Sequence, residues 1–236
     1  MKIVYKSELE FYIFGRTIAS YPSDFQVVGQ EQIPLLRQLG MDMIPNDLVC
    51  FDQITRVNDS EETGLHFFAQ DRKFQSVLIH PERYVEKFSQ YKVILTPDVT
   101  LSPDMPPSVR IQNIRASRQA GAVWESRGIN VVPSVRWSCK DDYEVAFSGI
   151  PSQSIVAVGT YGATRDRTLR HALLDGLEEL VNRLEPAAIL IFGSLDSRNK
   201  RELEKLTQVR QFLPPSWSKF SSREFPVDND DLFLGL

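Results

Sequence analysis

The chain has 236 residues, 42% of them hydrophobic and 25% charged, enough for one well-buried core. Lysine and arginine number 27 against 31 aspartates and glutamates, a formal net charge of -4. That balance excludes a global attraction to nucleic acid or an anionic membrane, so any basic site has to be local. Cys50 and Cys139 are far apart, make no metal-ligand pair, and read as reduced thiols of a cytosolic protein. No run approaches the roughly 20 apolar residues of a membrane span, and Glu8 and Glu10 interrupt what would be a signal peptide, so a cytoplasmic protein is expected.

In chain order, residues 1–60 mix short apolar runs with Pro22, Pro34 and Pro45, and "DLVCFDQI" has the composition of one more strand. Five apolar runs then follow: "LHFF" (65–68), "KVILT" (92–96), "INVVPSV" (129–135), "SIVAVGT" (154–160) and "AAILIFG" (187–193). They read as strands buried on both faces, spaced close to the roughly 30 residues of a strand, helix, strand unit. A helix is expected from Pro106 and Pro107 to Gly128. A second is "RTLRHALLDGLEELVNRLEP", where Leu169, Leu173, Leu177, Leu180 and Leu184 form one apolar stripe and Pro186 stops the segment. Gly176 inside it points to close backbone packing. "SRNKRELEKLTQVRQFL" (197–213) reads as a last, solvent-facing helix, and residues 214–236 as a surface or partly disordered tail. The expected fold is a single α/β domain over residues 1–236, its β/α units in 61–213. Its parallel strands would be joined by crossover helices and curved like part of a (β/α) barrel, with an open doubly wound sheet as the alternative.

Ligands of such folds sit at the carboxyl ends of the strands. In "VILTPDVTLSPDMPP" an apolar strand breaks at Pro97 and presents Asp98 there, as a catalytic base or polar anchor, or as a turn residue. Asp104, just ahead of Pro106, reads first as a helix cap and second as a ligand contact. "VVPSVRW" places Arg136 and Trp137 side by side, a planar cation and a stacking surface suited to an anionic or aromatic ligand, or else a rim arginine beside a packed tryptophan. "VGTYGATRDR" and "IFGSLDS" put Thr160, Gly162, Gly193 and Ser194 where strands hand over to helices, which is either turn geometry or a phosphate cradle. In "RIQNIRASRQAGAVW", Arg115 and Arg118 are helix neighbours with Asn113 close by, a basic face that either is solvated or meets phosphate groups. His66, His80 and His171 have no ligand spacing, no metal is indicated, and no cofactor can be named.

The segments "HFF", "LTPDVTLSPDMP", "GINVVPSVRW", "FSGIP", "VAVGT" with Gly162, and "IFG" resemble, in that order, an uncharacterised family of phages, plasmids and integrative elements, a domain of unknown function. The resemblance spans residues 60–195 and falls on Asp98, Asp104, Pro106, Asn113, Arg118, Trp137, Gly149, Gly162 and Gly193. Thr96 stands where the family often has Ser, and Ser134 where it often has Asn. What it implies is a mobile-element context in a bacterial cytoplasm, with no reaction type.

Two functions follow from the residues. The first is an enzyme or sensor for a phosphate-bearing small molecule or nucleotide, with Asp98 as base or anchor, Arg118 and Arg136 as an anion clamp, Trp137 as a stacking wall, and Asp104, Asn113, Thr160, Gly162, Gly193 and Ser194 as further contacts. The alternative is an accessory protein binding short or single-stranded nucleic acid through Arg110, Arg115, Arg118 and Arg127. The ending "DNDDLFLGL" reads as a segment folded on its own surface, on a second copy, or on a host protein.

Overall fold

The computed structural model describes residues 25–56, 60–160, 163 and 167–214. A short antiparallel ribbon comes first, β1 (Val27–Val28) with β2 (Ile33–Pro34). Then follow β3 (Asp47–Cys50), β4 (Thr63–His66), α1 (Asp71–Ile79), α2 (Val85–Phe88), β5 (Val93–Leu95), α3 (Pro107–Glu125), β6 (Val131–Val132) and α4 (Tyr143–Phe147). The chain continues through β7 (Ile155–Gly159), α5 (Arg167–Leu184), β8 (Ala188–Phe192), α6 (Ser197–Glu204) and β9 (Gln208–Phe212).

β3 to β9 are parallel and lie side by side in sequence order. β3-β4-β5-β6 form one ladder and β7-β8-β9 another. A bridge between Ser134 and Ala157 links the two, with Val135 N donating to Ala157 O at 2.8 Å. Pro133 has no N–H to continue β6, which shortens that strand to two residues.

The strand alternation divides the core. Val93, Leu95, Val132, Ile155, Ala157, Ala188, Leu190 and Phe192 point to one face, where they cluster with Leu48 of β3 and Phe212 of β9. The first and last strands of the order therefore share one apolar cluster, and Arg210 Nη2 of β9 donates to Asn46 O beside β3 at 3.4 Å. The opposite faces meet helices. Ile94 and Val131 pack with Phe74, Val77 and Trp124 of α1 and α3, while Val156, Val158, Ile189 and Ile191 pack with Leu173, Leu177 and Leu180 of α5. Burial on both faces is why these strands read as continuous apolar runs.

Two expectations are corrected. The last helix ends at Glu204, and residues 208–212 form β9 on β8 instead. The Arg110-to-Arg118 face is not a solvated basic strip. Arg110 and Arg118 are buried, because α3 is packed against β2 and β6 on some sides and against α1 and α4 on others, leaving only Arg115 and Arg127 of the four nearer the surface. Among the described residues no helix is long and apolar enough to cross a membrane.

Candidate anion site at the strand carboxyl ends

The chain beyond β5 is tied to the chain beyond β6 before it reaches any charged group. Thr96 Oγ1 accepts from Ser134 N at 2.9 Å and from Ser117 Oγ at 2.9 Å, and Ser134 Oγ donates to Thr96 O at 2.6 Å. Thr96 and Ser134 are thus one hydrogen-bonded pair with a structural task. Pro97 then turns the backbone, and Asp98 meets Arg136 from the neighbouring strand end. Arg136 Nε donates to Asp98 Oδ1 at 2.7 Å and Nη2 to Oδ2 at 2.5 Å, the two-pronged geometry of a guanidinium on a carboxylate. The Asp98 side chain is 4% exposed and that of Arg136 30%, so the arginine is the member that a ligand can reach. Burial works against the Arg136 charge, but the Asp98 carboxylate outweighs it and raises its pKa.

A second carboxylate stands beside the pair. Asp71, the first residue of α1, accepts from Thr100 Oγ1 at 2.9 Å and from Thr100 N at 3.2 Å. Thr100 O in turn accepts from Asn113 Nδ2 of α3 at 3.0 Å. Burial pushes the Asp71 carboxyl above its ordinary range and the Asp98 charge adds to this, against the Thr100 hydrogen bonds and Arg136.

Arg118 lies behind Arg136. It is 1% exposed; Nη1 donates to Ser134 O at 2.9 Å and Nη2 to Ala146 O at 3.0 Å, while Nε is buried without a partner. Among the described residues no carboxylate pairs with it, and burial pushes its pKa down to about 9.

Two cavities adjoin these groups. A small one of about 10 Å³ is lined by Asp98, Asn113, Ser117, Arg118, Ser134 and Arg136, so four of the sequence-predicted residues converge there. A larger one of about 180 Å³ shares Leu101 and Arg136 with it and is also lined by Trp137, Ser138, Gly159 and Leu173. Trp137 lines this space but is fixed in the core. Its Nε1 donates to Ala172 O at 2.8 Å, and a Cβ at position 176 would fall 2.1 Å from the indole, which is why α5 carries Gly176. The close backbone packing expected there is the packing of Trp137.

A second charged pair is buried nearby, tied to Ser138 of the larger cavity. Arg110 Nε donates to Asp142 Oδ1 at 2.6 Å and Nη1 to Met105 O at 2.6 Å. Asp142 Oδ2 accepts from Ser138 N at 2.7 Å, Ser138 Oγ at 2.6 Å and Cys139 N at 3.3 Å.

Of the remaining predicted residues, Asp104, Thr160, Gly193 and Ser194 line neither cavity. Asp104 is exposed, and Pro106 precedes α3 with no side-chain cap, so Asp104 is not the cap of that helix. Thr160 is buried, its N donates to Phe192 O at 3.0 Å, and its Oγ1 has no partner; Gly162 lies outside the described residues. At the end of β8 the glycine loop is occupied by the protein itself. Gly193, at φ 115°, donates to Phe212 O at 2.9 Å and accepts from Gln211 Nε2 at 2.9 Å, a backbone conformation that glycine adopts without strain. Beyond the half-buried Ser194, Asp196 accepts from Arg198 N at 3.1 Å and Asn199 N at 2.9 Å, placing the protein's own carboxylate at the amino end of α6. His66 is packed, with Nδ1 accepting from Phe68 N at 3.1 Å and its ring 4.0 Å from Phe192, and burial depresses its pKa to about 3. Among the described residues no group of three or more His, Cys, Asp or Glu could hold a metal.

Asp71, Thr100 and the Arg110–Asp142 pair were not singled out from sequence. Asp71 did carry a signal. "FFAQDRK" places it just past the end of β4, much as "LTPD" places Asp98 just past β5.

Parallel strands in sequence order, with helices between them and charged groups gathered at their carboxyl ends, define an α/β protein. The chain belongs to the family described as Domain of unknown function (DUF4417), whose model matches residues 25–220. It is similar to the "Gene 1 protein" of Mycobacterium phage L5, 32% identical over 197 residues and covering 83% of each chain. The "Gene 1 protein" of Mycobacterium phage D29 is 35% identical over 159 residues, covering 66% of this chain and 56% of that one. No solved structure matches.

Proposed function

We propose that this phage-family protein binds a phosphate-bearing small molecule or a nucleotide at the carboxyl ends of its strands, in a bacterial cytoplasm. The carrying observation is Arg136, pinned by Asp98 with its guanidinium partly accessible on the wall of the 180 Å³ cavity. A guanidinium held in place loses little freedom when it meets an anion. The same cavity is otherwise largely apolar, with Trp137, Leu101, Val158 and Leu173, and is of the size that accepts one aromatic ring. Base or ring in the cavity and anionic group on Arg136 is the pose that both features support. Asp98 serves here as the polar anchor of Arg136 rather than as a base, because both its oxygens are engaged.

The strand order and the apolar cluster shared by Leu48 and Phe212 support a sheet curved as part of a (β/α) barrel, the architecture in which ligands sit at this rim. A thermal-shift series with inorganic phosphate, nucleoside monophosphates and sugar phosphates tests the proposal. A ligand at 100 times its dissociation constant stabilises the fold by about 2.7 kcal/mol, and Arg136→Met should abolish that gain. No shift with any of them, or the same shift in Arg136→Met, would remove the proposal.

A further inference from the structure

Given Arg136 as the anion contact proposed above, on which this rests, we infer that Asp71 couples ligand binding to the uptake of a proton, so that the site holds its anion more tightly as pH falls. Two carboxylates act on the one guanidinium of Arg136. Asp98 answers it with both oxygens, and Asp71 reaches it through charge alone. With all three groups ionised, two negative charges stand against one positive. A cluster with that excess repels the anion it is to hold, and a proton on one carboxylate restores neutrality.

Geometry decides which carboxylate takes it. Asp98 accepts from Arg136 Nε at 2.7 Å and from Nη2 at 2.5 Å, so a proton on either oxygen displaces a bond that holds the arginine in place. Asp71 makes no hydrogen bond to Arg136. Its Oδ1 accepts from Thr100 Oγ1 at 2.9 Å, and Thr100 N lies 3.3 Å from Oδ1 and 3.2 Å from Oδ2. A proton on Oδ2 therefore leaves Oδ1 to both Thr100 donors, and the loop that carries Asp98 keeps its tie to α1. Burial, helped by the Asp98 charge, already holds the Asp71 carboxyl above its ordinary range, and an anion on Arg136 adds a further negative charge in the same direction.

The other charged groups on α1 and on the elements packed against it are engaged elsewhere or face solvent. On α1 itself Lys73 is paired with Asp52 at 2.7 Å and Arg72 is exposed. On the turn of residues 81–84, which packs on α1, Glu82 is paired with His80 at 3.5 Å and Arg83 is exposed. On α3, Arg110 is held by Asp142, Glu125 by Arg37, and Arg118 by two carbonyls, while Arg115 is half-buried. Asp104 of the β5–α3 loop is exposed. Asp98 and Arg136 are the charges that act on Asp71 most. An ionised Asp71 opposes the ligand, so affinity is highest where Asp71 is protonated in the free chain and falls as pH rises through its value in the complex.

The probe is methyl phenyl phosphate, a phosphodiester with a ring for the cavity and a charge that stays constant near neutrality. Calorimetric titration of the full chain from about pH 4.5 to 8, in two buffers of different ionisation enthalpy, reads both the affinity and the protons taken up. The expected result is an affinity that rises as pH falls, with proton uptake on binding wherever Asp71 is ionised in the free chain. Both effects should be absent from Asp71→Asn, which keeps an oxygen for Thr100 and should bind roughly fivefold or more tightly than the native chain at the alkaline end. Binding that Arg136→Met abolishes, but with flat affinity and no proton uptake in the native chain, overturns the coupling and leaves Arg136 as the anion contact. The native pH profile persisting in Asp71→Asn does the same. No binding by the native chain, or binding that survives Arg136→Met, removes the contact and the coupling together.

Discussion

Two buried Arg–Asp pairs sit a few residues apart in the fold and do different things. In Arg110–Asp142 both side chains are nearly sealed, 6% and 4% exposed, and Asp142 accepts three further hydrogen bonds from Ser138 and Cys139. In Asp98–Arg136 the carboxylate is sealed and takes no further donor among the described residues, while the arginine side chain is partly open and lines both cavities. The first pair is saturated on every side, which suits a clasp joining α3 to the turn before α4. The second leaves its cation available. Buried ion pairs gain little net stability from their charges alone, so what tells structure from function is how much hydrogen-bonding capacity each leaves unspent.

The strongest way to break this contrast is to remove each aspartate in turn. Asp142→Ala strands Arg110 and three donors in the core and should cost about 3–5 kcal/mol in urea unfolding. Asp98→Ala leaves Arg136 with a path to solvent, so its cost should be smaller, about 1–2 kcal/mol, while the thermal response to phosphate compounds disappears. A larger stability loss for Asp98→Ala than for Asp142→Ala would reverse the assignment of clasp and site.

The sequence made the contrast only partly legible. "KVILT", "SIVAVGT" and "AAILIFG" were readable because strands covered on both faces stay apolar throughout, and the α5 stripe was readable because one face of that helix meets the sheet. β9 was not, since "QVRQF" is only half buried and its two glutamines and one arginine continue the polar pattern of α6. The arginines of α3 misled for a physical reason. Three-residue spacing says that two side chains are neighbours on a helix, but in a helix enclosed on several sides it does not say that they reach water. Arg118 and Arg110 turn inward to carbonyls and a carboxylate that come from residues 105, 134, 142 and 146, contacts with no signature in the helix itself. Asp98 and Arg136 meet because strand order fixes which strand-end loops are adjacent, and whether they would meet was not legible from their segments alone. The Gly193 loop met the fold's own groups instead, because Asp196 was close enough to cap the helix.

The two clusters should also titrate in opposite directions. Burial would raise Asp142, but the Ser138 and Arg110 hydrogen bonds overcome that and hold its carboxyl below the ordinary range. Its stabilisation is therefore complete above the unfolded value near 4 and is lost as pH falls through the depressed folded value. Asp71 is raised chiefly by burial, so folding favours its protonated form, and its ionisation weakens the fold as pH rises from near 4 through the raised value. Asp71→Asn keeps an oxygen for Thr100 and should be as stable as the native chain or slightly more so at pH 7. That difference should shrink below about pH 4, where Asp71 is protonated in both states. Melting curves from pH 3 to 7 check this, and a variant less stable at pH 7 than at pH 4 relative to the native chain would show that the charge of Asp71 is favourable.

The smallest expected effect sets the baseline for the other three. "LTPDVTLSPDMPP" contains two Pro-Asp steps, and the fold uses only the first: Asp98 is buried on Arg136, while Asp104 is exposed ahead of an uncapped helix. A helix-capping aspartate typically costs about 0.5–2 kcal/mol when changed to alanine. Because α3 starts at Pro107 behind Pro106, two of the positions that would receive a cap or need one carry no backbone N–H, and the demand for a capping side chain falls. Asp104→Ala should therefore stay within about 0.5 kcal/mol of the native chain, the range of ordinary surface substitutions, and leave the phosphate response intact. A loss of about 1 kcal/mol or more in urea unfolding would return Asp104 to the cap, and a lost phosphate response would bring it into the site beside Arg136.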